Sequence, residues 1–130
     1  MQSIILKTKI LGYISIMFFL ILSCNKKSDL ENQITIKINS IDKETKKNRL
    51  NMFDTVVVRK EGIGYLMKTF NKVGEYVTDS TGSVKIKIDS TKTYDISVLG
   101  LNVLGGEMCY PRHLKNGQEV NIEVFSIENR

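Results

Sequence analysis

The 130-residue chain has no tryptophan, one proline (Pro111), one histidine (His113) and two cysteines, Cys24 and Cys109. These scarcities narrow its chemistry. A zinc site takes three or four ligands of the Cys, His or carboxylate type, and this composition gives no basis for one. A serine triad would have to use His113 itself, and there is no Gly-x-Ser-x-Gly elbow. Gly62-Ile63-Gly64 lacks the strand-to-helix setting of a phosphate loop. The carboxylates are scattered. Asp79 and Asp89 sit in turn sequences, and a calcium site would need their loops and Asp95 to converge. No catalytic residue, metal or cofactor is expected.

Long apolar runs are also missing, with one exception. Residues 10–22 are uncharged, follow Lys7 and Lys9, and give way at once to Asn25-Lys26-Lys27-Ser28-Asp29. As a helix this stretch reaches roughly 20 Å, short of the ~20 apolar residues a bilayer span needs. It suits the apolar region of a secretory leader. Ile21-Leu22-Ser23-Cys24 has an aliphatic residue three before the cysteine and a small one just before it, which resembles the lipobox of a bacterial lipoprotein signal peptide. That resemblance implies removal of residues 1–23 and lipidation of Cys24, with a diacylglycerol on its sulfur and an acyl chain on the new amino end. Two or more chains anchor stably where one binds marginally. Residues 24–33, polar and without apolar period, then read as a flexible tether. Asn25 is not the aspartate associated with inner-membrane retention, and Ser28-Asp29-Leu30-Glu31 partly matches an acidic-serine surface signal. The expected address is the cell envelope, the outer membrane favoured over the inner.

With Cys24 lipidated, Cys109 has no partner in the chain. In the strand-like setting Glu107-Met108-Cys109-Tyr110 it is expected to be a small buried apolar residue. A bridge between chains is the alternative. Losing Lys7 and Lys9 takes the 19 basic residues to 17 against 14 acidic ones, an excess of three. That is too mild for a nucleic-acid footprint. The densest basic patch, Lys43, Lys46, Lys47 and Arg49, reads as a solvated loop.

After Cys24 no segment of useful length has an apolar 3.6-residue period, and turn signals recur about every ten residues. Ile34, Ile36 and Ile38 alternate with polar residues, as do Val84, Ile86 and Ile88, then Tyr94, Ile96 and Val98, then Val120, Ile122 and Val124. This period of two marks half-buried strands. Val56-Val57-Val58 suits a strand covered on both faces or a bulge. Residues 65–70 and 73–78 read as two strands or one bent one. Residues 101–104 read as a loop or weak edge strand, and 106–110 as a strand ended by Pro111. Asp79-Ser80-Thr81-Gly82 is the clearest turn. The expectation is all-β: about seven strands in a Greek-key sandwich, the immunoglobulin-like arrangement being one form of it, over 34–126 with a polar tail at 127–130. The immunoglobulin hallmark, a tryptophan between paired cysteines, is missing.

The opening strand followed by Asp42-Lys43-Glu44-Thr45-Lys46-Lys47 carries a second resemblance. So do Thr78-Asp79-Ser80-Thr81-Gly82 before an alternating strand, Lys92-Thr93-Tyr94, and Leu114-Lys115-Asn116-Gly117 before the last strand. Residues 34–125 resemble the transthyretin-like, carboxypeptidase-regulatory-type sandwich of exported bacterial proteins. The hydroxyisourate hydrolases of that group use several histidines; with one, that activity is not carried over. Asn48-Arg49-Leu50-Asn51 replaces the proline and small residue often found after the first loop. The function expected is a non-catalytic binding or structural accessory, held to the membrane by lipid on Cys24 and contacting an envelope protein. The stretch 101–110, with Met108 and Tyr110, is the candidate contact edge. The alternatives are an envelope enzyme or inhibitor using loops 42–55 and 100–119, or a glycan-binding module stacking sugars on Tyr65, Phe70 and Tyr76.

Overall fold

A computed structural model describes residues 28–128. The expected leader, Cys24 and most of the expected tether lie outside the described residues. Ser28–Glu31 forms one helical turn, α1. The rest of the described chain is all-β and sandwich-like, with seven strands: β1 (Gln33–Asp42), β2 (Thr55–Gly62), β3 (Thr69–Val77), β4 (Ser83–Asp89), β5 (Tyr94–Gly100), β6 (Val103–Cys109) and β7 (Glu119–Ser126).

The strands form a mixed sheet in the order β3-β2-β5-β6-β7-β1-β4, nearly closed on itself. Consecutive hairpins alone would not give this order: β1 lies between the last strand and β4. It pairs β7 in parallel and β4 antiparallel. The layers β3-β2-β5-β6 and β7-β1-β4 are joined by only two pairs, Val103 with Ser126 and Leu104 with Phe125. The alternating apolar residues meet between the layers. Ile36, Ile38, Val56, Val58, Ile86, Ile88, Tyr94, Ile96, Val98, Cys109, Val120, Ile122 and Val124 form one buried cluster, with Ile34, Tyr76 and Val84 partly buried against it. Burying an aliphatic side chain of this size contributes about 1.5–3 kcal/mol.

All three valines of β2 are buried, Val57 on the face away from the cluster. Strand β3 is one bent strand. Its pairing with β2 shifts between Val58 and Arg59, where Val58 faces Gly74 and Arg59 faces Lys72, leaving Val73 as the extra residue. A bulge of this kind reverses the phase of the side chains beyond it. Residues 65–67, expected to open a strand, lie instead in the β2–β3 loop. Leu101 and Asn102 form a tight hairpin turn, with Asn102 in the left-handed region at φ 54°, and Val103 and Leu104 begin β6.

The Asp79 turn forms as its residue types dictate. Asp79 Oδ1 accepts from the Thr81 and Ser83 amides at 2.9 and 3.2 Å, and Gly82 takes φ 78°. Hydrogen bonding, from Thr81 first, holds the Asp79 carboxyl below the usual carboxylate range.

Loop 43–54 departs from expectation at Arg49. Far from being solvated, its side chain is only 9% exposed and pairs with the fully buried Asp54, Nε to Oδ2 at 2.8 Å. Ser40 donates to the same oxygen at 2.7 Å. The neighbouring backbone closes over the pair: a Cβ on Gly100 would lie 2.2 Å from Asp54 Oδ1, and one on Gly82 2.8 Å from the Arg49 carbonyl oxygen. Lys43, Lys46 and Lys47 are exposed, as expected.

Candidate partner-binding cleft

Gly105 lets β6 approach β7 closely; a Cβ there would meet the Glu123 carbonyl oxygen at 2.3 Å. Past that point the strands part. Residues 105–109 of β6 remain paired to β5, from Val98–Gly105 to Tyr94–Cys109, but are unpaired on the β7 side. Over 119–124, β7 is paired only to β1. Two strands of one sheet thus diverge and leave a cleft with an unpaired backbone row on each wall. Two abutting grooves of about 460 and 440 Å³, which share Glu107 and Asn121, fill this gap. The first runs toward Ile41, Lys46 and Glu123; the second ends at Tyr110, His113 and Gln118.

The β7 wall is held by polar contacts from β1. Lys37 Nζ donates to Glu119 Oε1 at 3.1 Å, and Asn39 Nδ2 to Glu119 Oε2 at 3.1 Å and Asn121 Oδ1 at 2.8 Å. Ser83 in turn donates to Asn39 Oδ1 at 2.7 Å. These contacts, Lys37 first, lower the Glu119 pKa below its ordinary value. On the β6 wall the alternation places Val103, Gly105, Glu107 and Cys109 in the phase of the core, since they pair with Gly100, Val98, Ile96 and Tyr94. Glu107 is nevertheless exposed, because the layers have separated there. A charge in an inward phase keeps such a gap wet and guards an open strand against indiscriminate pairing.

Met108 and Tyr110, the expected contact residues, lie at this cleft, 36% and 52% exposed. The expected sheet edge is not there: β6 runs inside the sheet, and the terminal strands are β3 and β4. What β6 offers is a partial edge, open from Gly105 onward. The sequence signals were Gly105-Gly106 and Pro111, but a β7 that follows β1 on one edge over 119–124 and meets β6 only at Phe125 and Ser126 on the other is not legible locally.

Cys109 is buried, and burial, followed by Glu107 and Asp95, raises its thiol pKa to about 11, so it stays protonated near neutrality. The thiolate is the reactive form. His113 meets Tyr110 edge to face, with ring centroids 6.0 Å apart. Among the described residues no three His, Cys, Asp or Glu side chains gather as a metal group. The aromatic strip does not form. Phe70 pairs with Glu61 on the outer face of β2, whereas Tyr76 pairs with Val56 on the inner face, the bulge at Val73 having separated them, and Tyr65 lies in the loop. Among the described residues no helix is long and apolar enough to cross a membrane. In comparisons with known proteins, no family model and no curated sequence matches the chain.

Proposed function

We propose that this is a lipid-anchored, non-catalytic accessory of the cell envelope. Its transthyretin-like sandwich takes an extended segment of a neighbouring envelope protein into the β6–β7 cleft. The observation that carries the contact is the pair of unpaired backbone rows facing each other across a gap inside a sheet. Strand addition uses such rows for affinity and the flanking side chains for specificity. Here those side chains are Met108 and Tyr110 at one end and the unpaired acid Glu107 midway, which suits a segment with an apolar and a basic residue.

The lipobox at Cys24 supplies the address, with the outer membrane favoured, and the short tether restricts partners to proteins in or on that membrane. Nucleic acid is not a partner at so mild a charge. A protonated buried thiol, and a Glu119 already engaged by Lys37 and Asn39, argue for contact over bond making. An enzyme would have to work through His113 with Glu107 or Glu119 in this cleft. Envelope turnover lost on His113→Ala would replace the accessory reading.

Amide hydrogen exchange tests strand addition. In the purified full chain the cleft-side amides of residues 105–109 exchange rapidly, and in the native membrane fraction they are protected. Equal exchange in both overturns the proposal.

A further inference from the structure

The β2–β3 loop carries the three most exposed large apolar side chains of the described residues, Ile63, Tyr65 and Leu66 at 107%, 100% and 90%, with Met67 beside them at 79%. The loop is a built turn. A Cβ on Gly64 would lie 1.7 Å from the Met67 carbonyl oxygen, so the chain folds tightly back on itself there. Lys68 Nζ closes the neck on Glu61 at 3.1 Å. Single exposed apolar residues are ordinary, but four together at one tip mark an interaction site.

The registers say which end of the sandwich this tip occupies. Lys60 pairs with Tyr94, Tyr94 with Cys109, and the Glu61 amide donates to the Thr93 carbonyl at 3.0 Å. The Tyr94 hydroxyl accepts from the Asp89 amide, and Asp89 pairs with Gln33. The tip therefore stands at the end of the sandwich where the chain enters β1. Only eight residues lie between Cys24 and Gln33, a span of at most about 30 Å even fully extended. The same end is basic: Lys68, Lys92, Arg112 and Lys115 are exposed there, against Glu61 and Asp89.

We propose that the hairpin tip 63–67 is a second membrane contact, inserting into the surface of the bilayer to which Cys24 tethers the chain, while the surrounding cations meet anionic headgroups. This rests on the lipid-anchored reading. Aliphatic side chains enter the acyl boundary, and a tyrosine ring sits at headgroup level. Lysines near an anionic surface add attraction that salt weakens. Two contacts at one end also fix orientation, so the β6–β7 cleft faces along the membrane.

The lack of tryptophan makes the test specific, since Leu66→Trp introduces a single reporter. The full chain is bound to vesicles of phosphatidylcholine with phosphatidylglycerol, with and without brominated acyl chains. Trp at position 66 is expected to shift to the blue on vesicles and to be quenched several-fold more by brominated lipid than Trp in a Leu101→Trp control at the opposite end. Solvent-like emission at 66 in vesicle-bound, fatty-acid-labelled protein overturns the insertion and leaves the anchor standing. The expected shift and quenching in a chain that takes no label upholds the insertion and removes the anchor. Neither label nor shift removes both. A blue shift without lipid, accompanied by doubled mass, assigns the tip to a second copy and overturns the proposal. So does a shift in native membranes that brominated lipid does not quench, which assigns it to a protein partner.

Discussion

Asp54→Ala removes the acceptor at the centre of the buried cluster under loop 43–54. The Arg49 guanidinium, 9% exposed, loses its counterion, and the Ser40 hydroxyl loses the oxygen it donates to at 2.7 Å. Taking one member from a buried pair costs about 3–5 kcal/mol, because the remaining charge stays out of water. An abandoned hydroxyl adds about 1 kcal/mol or more. Against a typical stability of about 5–15 kcal/mol, the variant should be near the edge of folding. At about 4–8 °C per kcal/mol for a domain of this size, its melting temperature should fall by at least about 16 °C. Arg49→Met with Asp54→Leu keeps the branched shape and removes both charges, and it should recover most of the loss. Urea denaturation followed by circular dichroism measures the single variants and the pair. A loss under about 1 kcal/mol for Asp54→Ala, the range of an exposed pair, would refute the claim that this contact organises the loop.

The core register predicts that Ile86→Ala costs about 2–5 kcal/mol, while Lys85→Ala, on the outer face, changes stability by under about 0.5 kcal/mol; equal losses in denaturant titration would mean a slipped strand. The depressed Asp79 and Asp89 carboxyls contribute stability that is present above the ordinary aspartate pKa of about 3.9 and is lost as pH falls through their lower folded values. The urea midpoint should therefore drop below about pH 4, and Asp79→Ala should flatten that drop; an unchanged acid profile would show that the turn is not linked to folding. Cys24→Ser should abolish fatty-acid labelling in cells and leave the leader uncleaved there, and label retained by the variant would remove the lipobox reading.

The alternation of Ile34, Ile36 and Ile38 and its counterparts in β4, β5 and β7 made the strands and most of the core readable, because a period of two puts every apolar residue on one face of an extended chain. Asp79 and Gly82 fixed their turn by the same local chemistry. What escaped the sequence depended on partners distant in the chain. Arg49 looks like its solvated neighbours Lys46 and Lys47, and only the fold brings it to Asp54 and Ser40. The bulge at Val73 separates Phe70 from Tyr76 without any change in the spacing of the letters. The β6–β7 cleft exists because β6 and β7 pair only at Val103–Ser126 and Leu104–Phe125 and part beyond them while β7 follows β1, a long-range arrangement that no local signal records.

The most direct test of the accessory role is photocrosslinking in intact cells, with a photoreactive residue at Met108 and a control at Lys85 on the outer face of β4. An adduct with an envelope membrane protein at Met108 and none at Lys85 is expected. Adducts at both sites alike, or none at Met108, would contradict it.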